Sequence, residues 1–510
     1  MTAPEPPQSS GCPVPHGAGT PYGSGAPYGD GAPHGAGTPH GAGTPHGGVP
    51  YGGGLPVGVP LTPLYGQAVA DDPHGLYARL RERYGPVAPI ELEPGVEAWL
   101  VLGYAELLEL TRNEALFSKD SRHWRGSRLL PMTAWRPTLL NLDGAEHQRL
   151  RAAVSDTLAQ IDHRQLRETT EAAANGLIDS WGPDGTADLI AQYARALPLL
   201  VSTQLIGLST ETGPRVIELI SHFVDSGPES VRASREFQAI LTELVRHRRA
   251  TPSADLTSWL LAHPAGLTDE EAAHHLVVLM VAGNETSINW IGNTLRLLLT
   301  DRRFRATLTG GRLTVSDALE EVLWRDPPTQ NFPGRWATGD TVLGGQYISA
   351  GDMLVLGLAA ANADPAAQGT ASAAQGSLGG NRAHLAWGAG RHVCPAQHPA
   401  RIIVETAVET LLHRLPDLQL AVPAVELAWR PSPWSRALVA LPVLYSAFTP
   451  PRPPAPERPA WTPPPTPPAP APSPSDSTPT AATSTARTPD SGQPAPRSWW
   501  SSLAGWWSGR

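Results

Sequence analysis

The sequence predicts a mainly α fold with minor β, and three stretches carry that expectation. Thr268-Asp-Glu-Glu271 is a capping box, and the apolar-periodic run behind it, His274–Leu299, reads as one long helix. Asp143-Gly-Ala-Glu-His147-Gln-Arg149-Leu-Arg151 reads as a turn opening another helix. Val342-Leu-Gly-Gly-Gln-Tyr-Ile348, continuing through Gly351 to Val355, reads as strand, glycine turn, strand.

A chain of 510 residues is longer than one compact core normally uses. Its two ends account for the excess. Residues 15–54 repeat a short unit such as Pro-His-Gly-Ala-Gly-Thr, and 449–498 are rich in Pro, Ser, Thr and Ala. Neither has enough apolar surface to offset chain entropy, so both are expected to be disordered. The expected division is a tail over 1–57, a folded body over 58–448 and a second tail over 449–510. His16, His34, His40 and His46 of the repeat fit a solvated tail better than a metal site. In the last segment, Trp499, Leu503 and Trp506 share a helical face that suits a membrane surface, a protein groove, or a tail with no partner.

The net charge of −9 comes with no basic stripe, which argues against nucleic-acid binding. Lys119 is the only lysine, so a phosphate-binding lysine of the Walker or kinase type is excluded everywhere else. The chain shows neither a signal-peptide pattern nor an apolar stretch of spanning length, so a cytoplasmic location is expected.

Inside the body, His147 and Arg151 are one helical turn apart and project from one face. Alone, they read as a solvated charged face. Gly283 lies in the interior of the long helix, where glycine costs roughly 1 kcal/mol against alanine, so close approach by another group is expected there. Next to it, Glu285-Thr286 pairs a carboxylate with a hydroxyl, which can bend a helix and hold water. Ordinary helix surface is the other reading.

Cys12 falls in the first tail, leaving Cys394 as the one thiol of the body. An internal disulfide and a CxxC metal or redox site are thereby excluded. An inert thiol, a nucleophile or a single thiolate ligand remains. Gly388 and Gly390 allow a tight turn against something flat. A helix starting just past the sulfur would favour the thiolate.

The stretch His384-Leu-Ala-Trp387-Gly388-Ala-Gly390-Arg-His392-Val-Cys394-Pro-Ala396 resembles the haem-ligand loop of the cytochrome P450 family. The family pattern is an aromatic, two residues, Gly, three residues, Cys, one residue, Gly. Gly390 and Cys394 match, Trp387 takes the usual phenylalanine place, and Ala396 stands where the family usually has glycine. The resemblance covers the body from 58 to 448. It implies the P450 fold, with haem b between the central long helix and the cysteine loop, and Cys394 as the axial thiolate ligand. It further implies that Glu285 is the acid and Thr286 the hydroxyl of a pair relaying protons to dioxygen. His147 and Arg151 would contact the haem propionates, joined by His392 and by Arg335 in Gly334-Arg335-Trp336-Ala337.

Two places depart from the family. In Ala318–Pro328, Glu321 takes the acid position of the Glu-x-x-Arg helix while Trp324 occupies the arginine position, with Arg325 next to it and turned about 100° away. In Ala366–Gly380, small residues replace the segment that normally brings a second basic partner to that acid. Glu321 is therefore expected to lack both partners and to need compensation.

The resemblance implies a haem-thiolate monooxygenase that inserts one oxygen atom of O2 into an apolar or amphipathic small molecule. Electrons would come from NAD(P)H through ferredoxin and ferredoxin reductase, because the chain carries no flavin or iron–sulfur domain. The alternative is a haem-binding relative with little turnover that acts as a sensor, scaffold or docking protein. Glu285 and Thr286 favour the first; Trp324, Ala396 and the tryptophan-rich tail favour the second. A cysteine hydrolase using His392 or His398 as base leaves the other motifs unexplained. Pocket segments implied by the resemblance are Arg122–Leu140, Val281–Gly283 and Thr329–Phe332, with Trp124, Trp135 and Phe332 as apolar lining.

Overall fold

A computed structural model describes residue 55 and residues 61–126, 137–181, 184–209, 212–224, 228–305, 313–367 and 381–447. The expected tails, save Leu55, lie outside the described residues, together with Cys12 and the tryptophan-rich end. Strands β1 (Thr62–Pro63), β2 (Val87–Glu93), β3 (Val96–Val101), β4 (Phe117–Ser118), β5 (Thr186–Asp188), β6 (Phe332–Ala337), β7 (Thr341–Leu343), β8 (Gln346–Ile348), β9 (Met353–Leu356), β10 (Gln419–Leu420) and β11 (Pro442–Leu444) form three sheets. The largest has the order β1-β2-β3-β9-β6-β4. The helices that position the site are α1 (Gly144–Ala159), α2 (His163–Asp179), α3 (Asp269–Thr300), α4 (Val315–Arg325) and α5 (Gln397–Arg414).

The long helix forms as its sequence demands. The Thr268 hydroxyl accepts from the Glu271 amide at 3.1 Å, and the Glu271 carboxylate accepts from the Thr268 amide at 2.9 Å, so two otherwise unpaired amides are satisfied. Behind this cap, α3 is apolar on most of its circumference and runs through the core, as a helix buried all round must. Trp290 is among its buried residues and ties it to α4 by donating to the Leu319 carbonyl at 3.2 Å.

The glycine turn separates two structures. Gly344 and Gly345, at φ 54° and 80°, close the hairpin β7–β8, since both central positions of such a two-residue turn need positive φ. The later strand β9 instead joins the large sheet between β3 and β6. There β4 pairs antiparallel with β6, Ser118 opposite Trp336, which sets Lys119 beside Gly334 and Arg335. Among the described residues, no helix is long and apolar enough to cross a membrane.

Candidate functional site

The loop before α5 is built by its glycines. Gly388 and Gly390 sit at φ 72° and 68°, and a Cβ on Gly390 would lie 2.3 Å from the Thr111 carbonyl oxygen. This turn carries Cys394, whose amide donates to the Trp387 carbonyl at 2.9 Å. Burial pushes the thiol pKa up, opposed by the Ala396 amide and the Arg151 cation. The helix terminus alone therefore does not make a thiolate; a bound metal cation would have to complete the shift. Ala396 adopts φ −98°, which costs an alanine nothing, so its departure from glycine leaves the backbone unstrained.

Beside the loop, the expected donors converge. His147 of α1 stacks on His392 with ring centroids 3.9 Å apart. His392 Nε2 lies 3.1 Å from Asp143 Oδ1, and Asp143 also accepts from the Ser118 hydroxyl and the Lys119 amide, both at 2.7 Å. Arg335 Nη1 is 3.6 Å from the same carboxylate. Asp143 was missed as a site residue; it stands in the sequence only as the turn residue before α1. Burial pushes Asp143 up, but the bonds from His392, Ser118 and Lys119 outweigh it and hold its pKa at about 2.

The cluster is full of unpartnered polar nitrogens. Buried and without a hydrogen-bond partner are both ring nitrogens of His147, Arg151 Nη1, Arg335 Nε and His392 Nδ1. Native interiors rarely leave such groups unpaired, so a polar ligand with carboxylates fits here. A haem with its two propionates would fit that demand, and Cys394 lies on the same loop as His392.

Burial and the Arg151 cation hold the His147 pKa down to about 4, against an ordinary value of 6.5. The unfolded chain then binds more protons between those values, and stability rises with pH across that window. The haem-free protein is expected to lose stability as the pH falls from about 6.5 to about 4. His147→Gln should flatten that slope, as read from denaturant midpoints at a series of pH values.

On α3, a Cβ at Gly283 would meet no atom within 4 Å, so the expected close approach does not come from the described protein. The Thr286 hydroxyl donates to the Ala282 carbonyl at 2.7 Å. Glu285 is buried and forms an ion pair with Arg430, while accepting from Asn289 at 3.2 Å. Arg430, 145 residues away, carries no sequence signal that links it to this helix. One turn beyond Thr286, Trp290 meets Trp387 edge to face at 5.3 Å and packs the helix against the cysteine loop.

The expectation that Glu321 lacks partners is corrected. Arg325 forms an ion pair with it, because residues four apart share a helix face, even though Arg325 points away from Trp324. Glu320, unremarked in the sequence, is the better-partnered acid: His384 lies 3.0 Å from it, Arg382 3.2 Å, and Arg401 of α5 pairs with it. Trp324 donates to the Asn381 carbonyl at 2.8 Å and stands edge-on to His384. Of the altered stretch Ala366–Gly380, residues 368–380 lie outside the described residues. Trp324→Arg is expected to cost about 1–2 kcal/mol in a thermal melt, since it loses this packing while Glu321 already pairs with Arg325. A raised Tm would show Glu321 to be underserved.

Of the expected pocket segments, 127–136 with Trp135 lies outside the described residues. Gln330 and Asn331 are buried and bond to the backbone of Ser432, Pro433 and Ser435, so they serve the core. Phe332 stays half-buried, and Trp124 packs against the core beside the large sheet.

No family model matches the chain. The cytochrome P450 monooxygenase PikC of Streptomyces venezuelae is 33% identical over 393 residues, covering 74% of this chain and 92% of PikC. The vitamin D(3) 25-hydroxylase of Pseudonocardia autotrophica is 32% identical, covering 74% of this chain and 95% of the relative. Among solved structures, CYP154C4 from Streptomyces sp. W2061 superposes with a TM-score of 0.67 at 30% identity, covering 76% of this chain and 98% of that one.

Proposed function

Because the chain belongs to the cytochrome P450 family, we propose that Cys394 would supply the thiolate that holds the iron of its haem b and that Glu285 and Thr286 serve the proton relay. As a haem monooxygenase it takes O2 as co-substrate and reducing equivalents from NAD(P)H through partner proteins. The haem, when bound, supplies the reductive activation of dioxygen. His147, Arg151, Arg335 and His392 would hold its propionates, and the Gly388–Gly390 turn positions the Cys394 loop that would supply the iron ligand. Glu285 gives up its bond to Arg430, takes a proton from water onto its carboxylate and passes it towards the Thr286 hydroxyl. The electrons come from a ferredoxin and its reductase, and the substrate is an apolar or amphipathic small molecule.

The observation that carries this reading is the set of unpartnered buried nitrogens on His147, Arg151, Arg335 and His392 around the Cys394 loop. The absorption spectrum of the reduced, carbon-monoxide-bound protein tests it. A red-shifted Soret band is expected from a thiolate ligand. A band at the shorter wavelength of a neutral or displaced thiol would remove Cys394 from its role, and a protein without haem would sink the assignment of the whole donor set.

A further inference from the structure

The only lysine of the chain is buried without an ion pair among the described residues. Lys119 follows β4 and is 5% exposed. Its amide bonds Asp143 at 2.7 Å, but among the described residues no hydrogen-bond acceptor or carboxylate meets its ammonium. The ammonium lies 4.6 Å from the centroid of the Phe332 ring and 3.8 Å from where a Cβ of Gly334 would stand. Burial and the neighbouring Arg335 cation lower its pKa well below the ordinary value, with Asp143 pulling the other way. A buried cation in that position calls for an anion.

The haem carboxylates already have their donors in His147, Arg151, Arg335 and His392. Lys119 is set towards Phe332, whose ring is half-buried rather than sealed in the core. One ammonium matches one singly charged group, and the ring beside it suits an adjoining apolar chain. We propose that Lys119 is a specificity-determining residue that binds the carboxylate of an acidic substrate, with Phe332 holding the apolar part next to it. This rests on the monooxygenase reading and names the substrate class for the same site: amphipathic carboxylic acids.

The test uses the full-length holoenzyme and ligands whose imidazole binds the iron whatever else the pocket prefers. A chain-length series of ω-(imidazol-1-yl)alkanoic acids is titrated against the matching methyl esters, with the Soret shift of nitrogen ligation as the readout. At one chain length or more, the acid is expected to bind on the order of tenfold tighter than its ester. That preference should vanish in K119M and survive in K119R, with ester affinities unchanged. K119M removes an unanswered buried charge and is expected to melt no lower than the parent; K119Q supplies the same comparison should K119M fail to load haem. The proposal is overturned by an absent acid preference at every length, or by one that K119M keeps. It is also overturned if K119M releases haem faster to apomyoglobin while the acid-to-ester ratio stays as it was, which would place Lys119 with the propionate donors. Absence of any shift with imidazole itself would overturn the haem reading, and this proposal with it.

Discussion

Cys394→Ser is expected to abolish the red-shifted carbon-monoxide band and to take monooxygenase turnover below detection. The sulfur is the only thiol among the described residues, held by a turn that only glycine can make at position 390, where a Cβ would strike the Thr111 carbonyl. A serine hydroxyl fits that space but is too weakly acidic to supply an anionic ligand at neutral pH. The side chains proposed to hold the propionates, His147, Arg151, Arg335 and His392, are untouched, so C394S should still take up haem. Retained turnover with the red-shifted band intact would show that another group ligates the iron. Loss of haem altogether would instead mean that the axial bond, more than the propionate contacts, holds the cofactor.

The second large effect is expected on α3. Glu285→Gln should lower product formation about 100-fold, the low end of what a positioned proton donor contributes, while NAD(P)H oxidation continues without product. Its ion pair with Arg430 separates this role from a structural one. Arg430→Leu leaves the Glu285 carboxylate buried and unanswered, at a cost of about 3 kcal/mol in denaturant melts. The double variant E285L/R430L removes both charges and should recover most of that stability without recovering turnover. A double variant that regained turnover along with stability would reduce Glu285 to a scaffold residue. The Arg430 contact also implies that the acid must exchange partners before it can act, so R430L is expected to alter coupling as well as stability.

The cysteine loop and the acid–hydroxyl pair were legible because their chemistry lies in local order. Gly390 and Cys394 belong to one turn, and Glu285 and Thr286 are neighbours on one helix, so spacing alone places them. The capping box at Thr268 formed as read for the same reason: its two hydrogen bonds span three residues. The reading of Glu321 failed on a different ground. Whether Arg325 reaches it depends on the helix face shared by residues four apart, whereas the comparison with Trp324 looked only at the next position along.

By itself, then, the sequence determined a mainly helical chain of the cytochrome P450 family, and it singled out Cys394, Glu285, Thr286 and the cluster of His147, Arg151, Arg335 and His392 for the roles proposed here. Only the tertiary structure decided who answers each charge. Asp143 binds His392 across 249 residues, Glu285 meets Arg430 across 145, and Glu320 meets His384 across 64. No pattern of neighbours encodes such pairs, because desolvation punishes an unmatched charge wherever packing happens to bury it, and the partner that relieves it is selected by space rather than by order along the chain. Lys119 shows the same rule from the other side: it is buried, and among the described residues no carboxylate pairs with its ammonium.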